Sequence, residues 1–470
     1  MSASAPAADT AFRLADRLRG TLPGPWDVHA ERARRFEVHL QNGKQELVRG
    51  PVQVEGFGLR LIRATSEGGS TGFASSTDLS DASLGRAVED AESTARHSRF
   101  PVGDVELPAS LPASTLIPNT VDRALWEDPT RRLEELIAEL GTACNTEKGV
   151  SPSFGSIRAT LTETTLSNSS GLEASCARTQ IELEVALKAE GGPQGRPPGE
   201  FWANETLCRI EMGWLARMGP RWARMAADVR VAKAPASGPT RALFTPSVLS
   251  EILPGALGYR FSSSAQLRQL AIAEGTKVAS ELLSLDDDGL LPFGIASAPF
   301  DGEGVPHRRH ALVTEGSASG SVSDLLHAKA LGGRSTGNGQ RSPVRFSHWL
   351  TFTNSVIPRP TTLVVRPGEG GSEEEMAEEL GEGIIVEQLG FPNPNEISGS
   401  FGGELRLGYR VHHGKRGAPI RGGTVGDNLL ASPGERSFLT AIAAIGSRPE
   451  ISGRLFAPTL RVDDLPVAGG

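Results

Sequence analysis

The nine histidines are the residues best suited to metal binding or acid–base chemistry in this chain, and their spacing argues against a helical zinc site. Such a site needs two histidines on one helix face with a glutamate beside them, and no HExxH pattern occurs. His307 and His310 have an i, i+3 spacing, but the two residues between them are arginines, which would repel a cation. His412 and His413 are adjacent, so on a strand their rings are predicted to point to opposite faces.

The first segment that could bind something is PFDGEGVP, residues 299–306. It places Asp301 and Glu303 between glycines in a predicted turn. Two carboxylates there could hold a cation or accept hydrogen bonds from backbone N–H groups. The simpler interpretation is a turn whose carboxylates are satisfied within the turn itself.

The second segment is LGGRSTGNGQR, residues 331–341. A loop this rich in glycine and small polar residues can offer backbone N–H groups to a phosphate or a peptide. It has no lysine and does not follow a strand in a βαβ unit, so a nucleotide cradle is a weak interpretation. No Walker A sequence and no strand-to-helix nucleophile elbow is predicted, and these residues alone name no reaction.

Residues 1–235 carry the patterns of an α/β domain with antiparallel strands and flanking helices. Alternating polarity predicts strands at residues 36–40, 52–64, 156–167 and 172–189. The turn sequence at residues 168–171 joins the last two as a hairpin. Helical spacing of apolar residues covers 10–22, 78–96, 129–143 and 202–231. Gly56 and Gly58, inside a predicted strand, indicate a bulge or a close approach by another segment.

A small, proline-containing stretch at residues 234–239 predicts the main domain boundary. Short strands and glycines dominate residues 236–470, which predicts a mainly-β domain with a strand at 404–411. Helical patches are predicted at residues 246–257, 323–331, 373–380 and 437–444. The predicted fold class of the whole chain is therefore α+β.

Composition narrows the class of protein further. The net charge is −8, which argues against non-specific nucleic-acid binding, since that depends on basic patches. The three cysteines are odd in number and lack CxxC spacing, which is typical of a reducing compartment. Neither a signal-peptide pattern nor an apolar run long enough for a membrane helix occurs. We therefore expect a cytoplasmic protein that binds neither nucleic acid nor membrane.

Taken in order, several motifs resemble the C-terminal half of TldD/PmbA proteins, a family of bacterial metalloproteases. They are FDGEGVP (300–306), SDLLHAKALGGRSTGNGQR (323–341), TFTNS (351–355), NEISGSF (395–401), PIRG (419–422) and APTLRV (457–462). The N-terminal half is similar more loosely, through residues 58–60, 72–79 and 168–171. The motifs are specific as a set rather than singly, and the resemblance spans nearly the whole chain.

The family has two branches, and this chain resembles the PmbA branch, also called TldE. The TldD branch carries a zinc-binding HExxxH helix and a cysteine near the C-terminus. In this chain the matching helix is residues 252–259, with Pro254 and Tyr259 at the histidine positions and Gly255 at the glutamate position. No cysteine follows Cys208. The resemblance therefore implies a chain with no metal ligands and no catalytic residues of its own.

The resemblance implies that this chain functions in a complex with a second, catalytic subunit. This chain would pair as a heterodimer with a TldD-like catalytic subunit that holds zinc and cleaves unfolded or leader peptides. It could form a homodimer when made alone. An extended peptide substrate could add a strand to an exposed sheet edge. The residues expected to line or shape the shared substrate cavity are Asp301, Glu303, Ser335, Thr336, Asn338 and Arg341.

Two other interpretations stay open at this point. A PmbA-like homodimer could have a diverged activity in a specialised peptide or natural-product pathway, with Glu303, His307 and His310 as its polar centre. The chain could also be a binding or assembly protein that has no protease partner. Both share the predicted fold.

Overall fold

The computed structural model describes residues 6–66, 68–191, 199–341, 350–430 and 434–469. It confirms the α+β class, with a helix-covered antiparallel sheet first and a strand-rich, barrel-like half second. No helix in these ranges is long and apolar enough to cross a membrane.

The N-terminal half forms a six-stranded antiparallel sheet in the order β3-β2-β1-β4-β5-β6. Its strands are β1 (Trp26–Gln41), β2 (Lys44–Thr65), β3 (Gly68–Ser76), β4 (Val150–Asn168), β5 (Glu173–Ala189) and β6 (Gly199–Leu207). Its helices are α1 (Pro6–Arg19), α2 (Asp81–His97), α3 (Arg123–Glu127), α4 (Pro129–Ala143) and α5 (Trp214–Val229).

The alternation of β1 gives the sheet two chemically different faces. Val28 and Ala30 lie in one hydrophobic cluster with α1 and α2, and Val38 and Leu40 lie in a second with α4 and α5. The residues that alternate with these apolar ones along β1 point to the opposite face of the sheet, because successive side chains of a strand alternate. That opposite face is polar, beginning with the buried Asp27.

The C-terminal half contains two larger sheets and a small two-stranded one. Its helices are α6 (Pro246–Leu257), α7 (Ser263–Leu267), α8 (Leu325–Ala330) and α9 (Glu373–Leu380). Its strands are β7 (Gly238–Phe244), β8 (Leu285–Asp288), β9 (Arg309–Thr314), β10 (Ser317–Ala318), β11 (Gly339–Gln340), β12 (Ile357–Pro358), β13 (Leu363–Val365), β14 (Gly383–Gly390), β15 (Ser400–His412), β16 (Lys415–Ile420), β17 (Thr424–Asn428), β18 (Ile442–Ile445), β19 (Glu450–Ser452), β20 (Leu455–Ala457) and β21 (Leu460–Ala468).

One of these sheets closes on itself. Strand β14 pairs with β7 and with β15, and the path β7-β21-β17-β15 completes a five-stranded ring. Closure removes free edges from the ring, whereas β16 extends from β15, and its other side is bridged to Lys233 at Ile420. The second sheet has the order β10-β9-β8-β13-β20-β19.

The hydrophobic core runs across the predicted boundary. Leu243, Leu380 and Tyr409 from the C-terminal half pack in the same cluster as Leu136 and Trp222 from the N-terminal half. This shared core fixes the polar face of the first sheet against the C-terminal half, and the candidate site lies where they meet.

The helix predicted at residues 202–231 was wrong in part, and the helix predicted at residues 437–444 was wrong throughout. Residues 202–207 belong to β6, because Phe201 and Ala203 alternate with exposed neighbours and pair with β5. Residues 437–444 form a turn and then β18, whose Ile442 pairs with β21. Met212, which lies within the helix predicted at residues 202–231, precedes α5 and is 99% exposed. The glycine- and proline-rich residues 191–199 are typical of a loop, and most of them lie outside the described residues.

Candidate functional site

The FDGEG turn is built around the buried carboxylate of Asp301. Its Oδ1 accepts hydrogen bonds from the backbone N–H groups of Glu303 (2.9 Å) and Val305 (3.0 Å). Its Oδ2 accepts from the N–H of Gly339 (2.7 Å). Burial, and then the neighbouring Glu303, raise the pKa of Asp301 to about 8. The carboxylate therefore shapes its own turn and also pins the second glycine-rich segment beside it.

Glu303 connects this turn to the N-terminal sheet. Its Oε1 accepts from Nη1 of Arg60 (2.6 Å), and its Oε2 accepts from the N–H of Leu325 at the start of α8 (2.7 Å). Arg60 also binds Asp27, with its Nε 2.7 Å from Oδ2. Burial raises the pKa of Glu303, while Arg60 opposes that shift. Because these charges are buried, each depends on its partner to remain ionised.

Arg341 completes the network from the other side of Asp27. Its Nη2 pairs with Asp27 Oδ1, and its Nε donates to the carbonyl of Gly302 (3.1 Å). Its Nη1 donates to the carbonyl of Asn354 (3.3 Å). Two carboxylates and two guanidinium groups thus alternate across the junction of the two halves.

The glycine-rich loop is fixed by a second set of hydrogen bonds. Ser335 Oγ donates to the carbonyl of Ser323 (3.2 Å), and the N–H of Ser323 donates to Thr336 Oγ1 (2.7 Å). Asn338 donates from Nδ2 to Asp287 Oδ2 (2.6 Å) and to the carbonyl of Arg359 (3.3 Å). The loop is therefore a locked structure rather than an open row of free N–H groups.

The structure places the six predicted cavity residues in one buried region, in two groups. Glu303 and Arg341 belong to the charged network, and Asp301 holds the turn beside it through backbone N–H groups. Ser335, Thr336 and Asn338 hold the loop against Ser323 and Asp287. Of the six, Asp301 and Arg341 also line a pocket between the sheet and the C-terminal half. Contact with a substrate stays a prediction for all of them.

Four site residues on the sheet were missed by the sequence reasoning. Asp27, His29 and Glu31 occupy alternate positions of β1, and Arg60 lies opposite Asp27 on β2. Three polar residues at period two, flanked by apolar ones, were the available signal. That pattern also fits a solvent-exposed face, and only the tertiary structure shows that these residues are buried.

His29 and Glu31 meet through Thr351. The hydroxyl and N–H of Thr351, and the N–H of Phe352 (3.1 Å), all donate to Glu31 Oε2. Since that hydroxyl proton is used on Glu31, His29 Nε2 must be the donor in its 2.9 Å contact with Thr351 Oγ1. Burial, followed by Arg341 and Arg178, lowers the pKa of His29 well below its usual value, so the ring is neutral.

Gly56 and Gly58 on β2 permit this contact. A Cβ on Gly56 would lie 2.4 Å from the Phe352 ring, and one on Gly58 would lie 2.3 Å from the Phe352 carbonyl oxygen. The predicted close approach at these glycines is thereby confirmed, and the approaching segment is the one that carries Thr351.

The alternative polar centre does not assemble. Glu303, His307 and His310 do not bring their ligand atoms within 4.8 Å of one another in the described structure. Burial lowers the pKa of His307 to about 4. His310 donates from Nε2 to the carbonyl of Thr336 (2.7 Å). Each histidine is already engaged in holding the glycine-rich loop.

The predicted geometry of His412 and His413 was wrong. β15 ends at His412, and His413 lies in the following turn with φ of +50°, so strand alternation does not apply between them. Their ring centroids are 3.9 Å apart, and both lie beside Glu382. Within the described ranges this exposed trio is the group with ligand atoms close enough for one metal ion. This trio does not test the prediction that the chain binds no metal.

None of the three residues at the family's zinc-site positions has a side chain of the kind that holds zinc in proteins. Pro254 and Gly255 lie inside α6, and Tyr259 follows it and is buried. A Cβ on Gly255 would lie 2.7 Å from Pro394 Cγ, so the position has no room for a larger side chain without movement. Proline and glycine offer no ligand atom, and zinc in proteins is bound by cysteine, histidine or carboxylate. These residues do not fit the metal.

Comparison with known proteins places this architecture in a family. Residues 237–469 match the model of the PmbA/TldA metallopeptidase C-terminal domain, and residues 26–95 match that of PmbA/TldA metallopeptidase domain 1. Together these matches cover more than half of the chain. The chain belongs to the TldD/PmbA family of metallopeptidase-like proteins.

Individual relatives from the same family align with a smaller part of the chain. The chain is 25% identical over 203 residues to a Metalloprotease TldD homolog of Haemophilus influenzae, covering 42% of this chain and 40% of that protein. It is 24% identical over 195 residues to Metalloprotease PmbA of Escherichia coli O157:H7, covering 42% and 38%. These alignments thus span less than half of the relatives' lengths.

Solved structures match along the full chain. The structure of TldE from Thermococcus kodakarensis superposes with a TM-score of 0.80 at 18% identity, covering 98% of this chain and 100% of that one. A Thermotoga maritima protein, described as a candidate modulator of a DNA gyrase, gives a TM-score of 0.80 at 20% identity and covers 98% and 99%. At such identities the likeness establishes the fold.

Proposed function

We propose that this chain is the zinc-free subunit of a two-component TldD/TldE-type metallopeptidase that cleaves unfolded or leader peptides. The observation that carries the proposal is the chemistry of two residues in α6 and of Tyr259, two positions after its end. Pro254, Gly255 and Tyr259 stand where the resemblance to the TldD branch places the metal ligands and the catalytic glutamate. A TldD-like partner would then supply both zinc and catalysis.

This chain's contribution would be the cavity and the assembly. The charged network of Asp27, Arg60, Glu303 and Arg341 holds the polar face of the first sheet at a fixed distance from the C-terminal loops. A rigid wall of this kind supports substrate binding because its side chains are already ordered before the substrate arrives. In the described structure the outer side of β16 is bridged to Lys233 at Ile420, and the part of this edge nearer Lys415 would offer backbone groups to an extended peptide.

The test is reconstitution with a TldD-like subunit, measured as hydrolysis of an unstructured protein such as casein. Replacing the histidines of the partner's zinc helix should abolish hydrolysis by the mixture. Tyr259→Phe in this chain removes the only side-chain oxygen at the three aligned positions and should leave hydrolysis unchanged. Loss of hydrolysis with Tyr259→Phe, in a mixture that still assembles, would contradict the proposal.

The cavity role of the glycine-rich loop has its own test. Asn338→Ala removes the bond to Asp287 and is expected to raise the KM of the reconstituted pair for casein, because the loop that shapes the cavity loosens. Thr353→Ala serves as the control, since that hydroxyl is exposed and makes one weak local contact of 3.4 Å. An unchanged KM together with unchanged assembly would remove the idea.

A further inference from the structure

A pocket lies between the polar face of the N-terminal sheet and the FDGEG turn, and the charged network does not account for its lining. Water-sized groups can occupy about 70 Å³ of it. Arg178 and His29 contribute to its wall from the sheet side, and Gln340 contributes from the C-terminal half. These three side chains have unused hydrogen-bonding capacity.

Arg178 projects from β5 and is half-buried. Its guanidinium makes no hydrogen bond or ion pair of the kind that holds Arg60 and Arg341, as far as the described residues extend. Arg341, which lines the same pocket, has a partner on each of its three nitrogens, namely Asp27 and two carbonyls. A guanidinium presents five N–H donors in a planar fork that matches the two oxygens of a carboxylate. Arg178 is therefore the cation in this pocket that is available to a ligand.

Two buried atoms beside it also lack partners. Gln340 is 7% exposed, and its Nε2 has no hydrogen bond in the described structure. His29 is 5% exposed, and its Nδ1 is likewise unpartnered. Buried polar atoms without partners are rare in folded proteins, and each calls for an explanation. A ligand bound in the pocket would explain both atoms together, because it would supply the hydrogen-bond partners that Gln340 Nε2 and His29 Nδ1 lack.

The hydrogen-bonding state of each atom defines the ligand. Arg178 and the amide nitrogen of Gln340 are donors and require an acceptor, which an anionic oxygen supplies best. His29 donates through Nε2 to Thr351, so its Nδ1 is an acceptor and requires a donor. A carboxylate with an N–H group next to it, as at the carboxyl terminus of a peptide, carries both.

We propose that the pocket of Arg178, Gln340 and His29 binds the terminal carboxylate of a peptide, with the adjacent amide N–H directed at His29. The anion site follows from the pocket alone, whereas the choice of a peptide rests on the proposed function. A free inorganic phosphate shares the anionic oxygens but lacks the N–H donor. The two sources are therefore separable by experiment.

Binding of the short peptide N-acetyl-Ala-Ala-Gly to the purified full chain, without a partner, tests the proposal by calorimetry. The free carboxylate form should bind at least tenfold more tightly than the same peptide with a terminal amide, and more tightly than inorganic phosphate. Arg178→Gln should weaken binding of the carboxylate form at least tenfold. Arg131→Gln is the matched control, because that arginine is exposed on α4 away from the pocket.

A second variant keeps the test decisive if Arg178→Gln fails to fold. Gln340→Met retains the length of the side chain, removes the unpaired amide, and should weaken the carboxylate form selectively. Equal binding of the carboxylate and amide peptides, tighter binding of phosphate, or binding unaffected by Arg178→Gln would each overturn the proposal. Since hydrolysis is not the readout, failure here leaves the test of the partner-subunit role intact.

Discussion

The charged network at the junction of the two halves makes a quantitative prediction for Arg60→Met. Arg60 is 2% exposed and donates to Asp27 and to Glu303 at 2.6–2.7 Å. Among the described residues, removing it leaves the Glu303 carboxylate with the N–H of Leu325 as its only partner and leaves the Asp27 carboxylate with only Arg341. Breaking one side of a buried ion pair costs about 3–5 kcal/mol, because an uncompensated charge stays buried. We expect the free energy of unfolding to fall by about that amount.

Urea unfolding followed by tryptophan fluorescence measures this loss, and Trp26, next to Asp27 and 1% exposed, is well placed to report it. Arg86→Met is the control, since that side chain is 65% exposed and its pair with Asp78 spans 3.5 Å. It should change stability by less than about 0.5 kcal/mol. Adding Glu303→Gln to Arg60→Met should recover part of the loss, because the stranded charge is removed. A loss below about 1 kcal/mol for Arg60→Met would refute the reasoning.

Three further predictions concern the surroundings of the site. Gly58→Ala should destabilise the chain by several kcal/mol in urea unfolding, since its Cβ would overlap the Phe352 carbonyl, whereas Gly85→Ala, on an open helix face, should be neutral or stabilise it by up to about 1 kcal/mol. Asn338→Asp should be strongly destabilising at pH 8 and less so at pH 5, because the new carboxylate would face the carboxylate of Asp287. Equal destabilisation at both pH values would contradict this. Burial lowers the pKa of His307 to about 4, so its contribution to stability is present above pH 6.5 and is lost as pH falls towards 4; His307→Gln should remove that part of the pH dependence, and parallel stability–pH curves for the two proteins would count against it.

Local patterns predicted much of the secondary structure. The predicted helix at residues 129–143 matches α4, with Leu133, Leu136 and Leu140 buried along one side. The hairpin of β4 and β5 and its turn were also predicted, because strict alternation and an NSSG turn reinforce each other. Residues 202–207 were assigned to the wrong class because tryptophan and methionine occur in helices and strands alike, and pairing with β5 decides the outcome.

The candidate site was predictable only in part. The glycine-rich segments identified Asp301 and Asn338 as constrained residues, and the structure shows the hydrogen bonds that constrain them. The partners Asp27 and Arg60 lie far from these segments in the sequence. A local pattern carries no information on a contact between residues 243 positions apart, such as Arg60 and Glu303. The same holds for Arg178, whose significance depends on a pocket wall supplied by the other half of the chain.

The central claim is that catalysis belongs to a partner, and zinc content measured together with casein hydrolysis tests it most directly. The measurement is made on this chain alone, on a TldD-like subunit alone, and on their mixture. The account predicts neither zinc nor hydrolysis for this chain alone, and both for the mixture. Stoichiometric zinc with hydrolysis by this chain alone would contradict the account and would show that ligands other than those of α6 form an active site.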